Sequence, residues 1–95
     1  MTDFRDVRAG QRFEQGVADH EGQLRTVFAD YAVQGTTRVI LHVEADEALR
    51  GTGAAGRFMQ ALGEHARAEG LKLAPRCGYA VTWLKRHPEF DDIKV

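Results

Sequence analysis

Leu49-Arg50-Gly51-Thr52-Gly53-Ala54-Ala55-Gly56 joins an apolar run to the best helical pattern in the chain. Glycines at 51 and 53 have no Cβ, so the backbone can turn sharply there and bring several N–H groups close to a ligand. A helix that starts at this point adds its own unpaired N–H groups and the positive end of its dipole. Together these make a backbone socket for phosphate. Each charge-assisted hydrogen bond in such a socket is worth roughly 1.5–3 kcal/mol, and micromolar binding needs about −8 kcal/mol in total. Glycine pairs also serve ordinary turns and helix caps. The Lys-Ser/Thr ending of a Walker loop is absent, and Gly56 does not fall at the third-glycine spacing of a dinucleotide fold.

The flanking segments supply the frame. Before the loop, Arg38 to Ala45 reads as a strand, with Val39, Leu41 and Val43 on one face and Ile40, His42 and Glu44 on the other. Apolar residues on both faces indicate a central strand. After the loop, Ala54 to Glu69 is helical, since Ala55, Phe58, Met59, Leu62 and Ala66 recur at three and four residues. Gly70 stops it. Residues 71–75 form a short strand closed by Pro75, and so tight a strand–helix–strand unit implies a right-handed crossover with parallel pairing. Gly78 to Arg86 is a second helix, ended by Pro88.

Upstream, Arg12 to Ala18 and Leu24 to Tyr31 read as strands joined by a turn at Asp19-His20-Glu21-Gly22, with Val33 to Thr36 as the next turn. Residues 1–10 are polar and mixed and are expected to be a lead-in of low order, while Phe90 and Ile93 are expected to pin the tail. The expectation is an α/β (α+β) domain spanning 1–95: an antiparallel three-stranded meander, then helix, parallel strand and helix.

With 95 residues, the chain is expected to bury about 60–65% of its unfolded surface in one core. Its formal charge of −1 gives no sign of a nucleic-acid binder. One cysteine excludes an internal disulfide and fits a reducing compartment. No apolar stretch reaches the ~20 residues of a membrane span, so a soluble cytoplasmic protein is expected, with neither membrane nor nucleic acid as partner.

Four motifs recur in order: His42-x-Glu44, Arg50-x-x-Gly53-x-Ala55, Pro75-x-Cys77-x-Tyr79 and His87-Pro88-Glu89-Phe90. This set resembles a subgroup of very small, single-domain proteins of the GNAT superfamily of N-acetyltransferases, and it covers residues 10–92. The resemblance implies a minimal GNAT fold without the two N-terminal helices and the final strand pair of larger relatives. It also implies acetyl-CoA, or coenzyme A, as the bound cofactor, with the diphosphate on Arg50, Gly51, Thr52, Gly53, Ala54, Ala55 and Gly56. Pantetheine would enter where strands 38–45 and 71–75 splay apart, and a backbone N–H of the first strand, at Val43, would meet the thioester carbonyl. His-Thr-Glu is common in the subgroup; Val43 takes the middle place here, which removes a hydroxyl and keeps both ionisable groups.

His42 and Glu44 point from one side of a strand, an arrangement suited to taking a proton from an amine and equally to fixing a sheet. Cys77 stands at a helix start beside Arg76, and both favour thiolate. It is read as a nucleophile that carries the acetyl group in two steps, or as an acid, with Tyr79, for the departing thiolate in direct transfer. A small packing residue at the sheet mouth is the alternative. Trp83, His87 and Phe90 read as packing and helix termination; His20 and His65 read as exposed, and no histidine–cysteine spacing indicates zinc. The expected acceptor is an exposed lysine, polyamine or peptide amine, because the missing helices leave that side open. A CoA-binding module with little turnover is the second reading, and a small interaction protein the third.

Overall fold

Four consecutive strands precede the first long helix, and buried residues alternate with more exposed ones most clearly over residues 12–32. The computed structural model describes residues 3–95. In order come β1 (Phe4–Val7), β2 (Arg12–Ala18), β3 (Leu24–Gln34), β4 (Thr37–Ala45), α1 (Ala54–Glu69), β5 (Lys72–Pro75) and α2 (Gly78–Lys85), with short 3-10 turns at Arg8–Gly10, Glu47–Leu49 and Pro88–Ile93. The sheet order is β1-β2-β3-β4-β5. Every pairing is antiparallel except β4 with β5, which is parallel.

One core lies between a single sheet face and both helices. Phe13, Val27, Ala29, Tyr31, Ile40 and Leu73 come from the sheet; Phe58, Met59 and Leu62 come from α1, and Ala80, Trp83 and Leu84 from α2. Phe90 and Ile93 close the end of this core, as expected. The α1 backbone approaches Phe90 closely at Gly63, where a Cβ would lie 2.6 Å from a ring carbon. The opposite sheet face carries Arg12, Phe28, Asp30, His42 and Glu44, none of them buried. There Arg12 bonds Asp30 at 2.9 Å and lies 3.8 Å above the Phe28 ring.

Three expectations need correction. Residues 4–10 are not a loose lead-in: β1 pairs with β2, and Phe4 stacks on Phe13 and packs at a tilt against Phe58 and His65. The Tyr31 hydroxyl donates to Asp6 at 2.6 Å, and burial together with that bond pushes its pKa up to about 12. Residues 1 and 2 lie outside the described part. His65 is consequently half-buried under Phe4 and Phe13 rather than exposed.

The third correction concerns β4. Opposite Asp30 and Tyr31 of β3 stand His42 and Ile40, so Leu41 is an extra residue at a bulge. One extra residue reverses which face each later side chain takes. Ile40 belongs to the core, and beyond the bulge Val43 and Ala45 pack against it. His42 and Glu44 turn to the open face, so they share a face with each other but not with Ile40, and Val43 does not share one with Leu41.

Candidate active site

Hydrogen bonds within the loop hold residues 46–53 in a fixed shape. Asp46 caps the Glu47–Leu49 turn through the Ala48 N–H at 2.9 Å, and buried Leu49 anchors it. The Thr52 hydroxyl donates to the Leu49 carbonyl at 2.6 Å and accepts from the Ala54 N–H at 3.2 Å. Gly51 and Gly53 have φ of 79° and 76°, a left-handed region that L-residues avoid. Glycine holds both without the torsional cost an L-residue would carry.

The amides sort into two groups. Those of Arg50, Thr52 and Ala54 are used inside the loop. Those of Gly51, Gly53, Ala55 and Gly56 meet no acceptor among the described residues. Side chains leave the bend open: Arg50 is 84% exposed, and Arg57 reaches back only to the Thr52 carbonyl, at 2.8 Å. Four free amides beside a helix start, with the Arg50 and Arg57 guanidinium groups at the rim, fit a diphosphate. Asp46, Thr52 as a capping residue, and His20, whose Nε2 lies 3.2 Å from the Arg50 carbonyl, were not legible as loop supports. The two caps had a sequence signal, since Asp and Thr are both capping residue types; the His20 contact, thirty residues away, had none.

Beyond the loop the sheet forks. β4 and β5 pair from Thr37–Lys72 to Ile40–Pro75 and no further. The Arg76 and Cys77 N–H groups both donate to the Ile40 carbonyl, at 2.8 and 3.2 Å, and the chain then turns into α2. β4 continues alone on that side to Ala45. In its ladder with β3, the Asp46 N–H donates to the Thr26 carbonyl, and antiparallel bonding alternates. Glu44 and His42 therefore bond to β3, while the Val43 N–H and carbonyl turn into the fork.

Cys77 occupies the fork. It caps α2 and is partly buried. Burial raises its thiol pKa, but the backbone amides of Ala80, Val43 and Tyr79 favour the thiolate and outweigh it, so the net shift is downward. The shift comes from amides rather than from the neighbouring cation: the Arg76 guanidinium lies 3.5 Å from the carbonyl oxygen of Pro75. Tyr79, on the first turn of α2, is 42% exposed. Burial of part of its ring raises the phenol pKa, so it keeps its proton at neutral pH.

His42 Nε2 and Glu44 Oε1 are 3.0 Å apart on the open face. A carboxylate only accepts, so Nε2 carries the proton and Nδ1 of a neutral ring is the free acceptor. Val43, which lies between these two residues in sequence, supplies one of the backbone amides that lower the Cys77 pKa. The fork thus brings Cys77, Tyr79 and Val43 together, with His42 and Glu44 on the strand beside it. Trp83 and His87 stack at 3.6 Å, and His87 Nδ1 lies 2.7 Å from the Trp83 carbonyl, which is the packing role expected of them.

The model of the GCN5-related N-acetyl-transferase family matches residues 12–93. The chain belongs to that family and is an N-acetyltransferase of the GNAT type. Its fold is similar to the NMR solution structure of a GCN5-like candidate N-acetyltransferase from Staphylococcus aureus, with a TM-score of 0.67 at 24% identity over 97% of this chain and 86% of that one. No curated protein matches the sequence. Among the described residues no helix is long and apolar enough to cross a membrane.

Proposed function

We propose that this chain, acting as a single domain, transfers an acetyl group from acetyl-CoA to an exposed primary amine such as a polyamine or a peptide lysine. The observation that carries this reading is the fork itself: β4–β5 pairing stops at Ile40–Pro75 with Cys77 just beyond it, and β4 runs on to a loop with four free amides. Gly51, Gly53, Ala55 and Gly56, with Arg50 and Arg57 at the rim, would hold the diphosphate. Acetyl-CoA supplies an activated thioester. The lone thiol and the absence of a disulfide partner fit a reducing, cytoplasmic setting.

In the two-step route the Cys77 thiolate attacks the thioester carbonyl carbon. A new S–C bond forms, the bond to the CoA sulfur breaks, and Tyr79 gives its proton to the departing thiolate. Val43 N–H stabilises the oxygen on which charge collects. The amine then attacks acetyl-Cys77; its proton passes to His42 Nδ1, Glu44 stabilises the imidazolium, and Cys77 leaves as thiolate. In the direct route the amine attacks acetyl-CoA itself, His42 takes the proton, and Tyr79 or Cys77 protonates the leaving sulfur. The open sheet face beside His42 and Glu44 supports an acceptor that is part of a larger or extended molecule.

The test is incubation with acetyl-CoA followed by intact and peptide mass spectrometry. A hydroxylamine-labile acetyl on Cys77 that discharges to amines supports two steps, and turnover without it supports direct transfer. Unchanged turnover in both Cys77→Ala and Glu44→Gln removes the assigned roles. CoA binding without transfer to any amine of a broad panel leaves a CoA-binding module.

A further inference from the structure

The hairpin between β2 and β3 is built around Asp19. Its Oδ1 accepts the Glu21 and Gln23 N–H groups at 2.8 and 2.9 Å, and its Oδ2 accepts from Arg25 Nε at 2.9 Å. The Asp19 N–H donates to the Gln23 carbonyl at 2.8 Å, and the Gly22 N–H to the Asp19 carbonyl at 3.1 Å. Five bonds converge on one residue whose side chain is almost fully covered. The turn therefore presents His20 from a fixed base, and it does so against the glycine loop: His20 Nε2 lies 3.2 Å from the Arg50 carbonyl oxygen. A carbonyl only accepts, so Nε2 carries the proton in this contact.

The contact has a geometric consequence one bond further on. In a planar trans peptide the carbonyl and the following N–H point in opposite directions. Drawing the Arg50 carbonyl toward His20 turns the Gly51 N–H away from the hairpin, where no described residue accepts it. Glycine tolerates φ of either sign, so nothing in Gly51 itself prevents this peptide from flipping. A flip would present a carbonyl oxygen to the anion in place of an N–H.

We propose that His20 is a positioning residue for the diphosphate loop: its Nε2–H locks the Arg50–Gly51 peptide with the Gly51 amide facing the ligand. The inference rests on reading residues 50–56 as the diphosphate site. His20 acts through the backbone and needs no contact with coenzyme A. Its effect is therefore confined to ligands that carry the diphosphate.

Calorimetric titration of the full chain tests it, using wild type, His20→Ala and His20→Gln against CoA and against pantetheine, which lacks the diphosphate. His20→Ala is expected to weaken CoA at least about tenfold, equivalent to about 1.4 kcal/mol. Gln reaches similarly far with an N–H donor and is expected to restore most of the affinity. Pantetheine affinity is expected to be equal in all three, and Tm to stay near wild type because Asp19 holds the hairpin. Wild-type CoA affinity in His20→Ala overturns the inference alone, as does an equal loss toward pantetheine. No CoA binding by the wild type removes the diphosphate reading and this inference with it.

Discussion

Replacing Gly53 by alanine separates the structural cost of the loop from its binding role. Gly53 caps α1 at φ 76° and ψ 14°. An alanine Cβ there would meet only Arg57 Nη1, at an ordinary 3.7 Å, so the cost is torsional and not steric. A left-handed conformation costs an L-residue roughly 1–2 kcal/mol. In a domain of this size each kcal/mol lowers Tm by about 4–8 °C. Relief comes by turning φ negative, which swings the free Gly53 N–H out of the bend. One charge-assisted hydrogen bond is then lost to the ligand, roughly 1.5–3 kcal/mol, or about 10–150-fold in Kd.

Gly35 provides the control. Its φ is 61° and nothing lies within 4 Å of an added Cβ, but it sits in the β3–β4 turn rather than in the loop. Gly35→Ala is expected to cost similar stability and leave CoA affinity intact. Thermal melts and CoA titrations of both variants decide the matter. If Gly53→Ala melts early yet binds CoA as tightly as Gly35→Ala, the loop amides do not grip a diphosphate.

Gly63→Ala drives a Cβ to 2.6–2.9 Å from three Phe90 ring atoms and is expected to destabilise by about 1–3 kcal/mol through overpacking; addition of Phe90→Leu should recover part of the lost Tm, and a purely additive double mutant would refute the contact. Alkylation of Cys77 by iodoacetamide is expected to titrate with a midpoint below that of a free cysteine, because the three amides lower its pKa despite burial; a midpoint above it contradicts that balance. Asp19 has its pKa lowered, chiefly by Arg25 and then by the Gln23 amide, so its contribution is full above the unfolded value of 3.8 and is lost as pH falls through the lower folded value. Melting temperature in acid should therefore drop less from neutral pH in Asp19→Asn than in wild type, and equal drops would sink this assignment. Deleting Leu41, which is 50% exposed, restores regular alternation while keeping His42, Val43 and Glu44 on their present faces; the variant should fold with a Tm near wild type but bind CoA poorly as the fork closes, and unimpaired binding would show that the bulge does not hold the fork open.

Where local chemistry decided an element, the sequence was enough. β2 and α1 have the expected bounds because Asp19 and Gly70 end them with turn and cap residues and their apolar spacing is unambiguous. The parallel placement of β5 follows from a crossover too short for any other arrangement. β1 has no local signal because Phe4-Arg5-Asp6-Val7 has only two apolar residues, and its support lies elsewhere: Phe4 packs on Phe13 and Phe58, and Asp6 bonds Tyr31 across twenty-five residues. No window around residue 4 contains that information. The error at His65 follows directly, since what covers it is Phe4.

The β4 bulge was hidden for a different reason. Val39-Ile40-Leu41 is a continuous apolar run, and such a run is compatible with either face assignment on each side of any one residue. The choice is made by β3, which sets Ala29 against Val43 and Tyr31 against Ile40. Two facing residues on β3 span three on β4, and Leu41, the residue left over, is the one with least to gain from the core. The same slip explains why the motif survives the misreading. His42 and Glu44 lie on one side of Leu41, so their mutual spacing is untouched. Val43 between them keeps its amide in the fork because ladder bonding alternates along the same stretch. The candidate site is legible as a local spacing on β4; its position relative to the core is a property of the strand opposite.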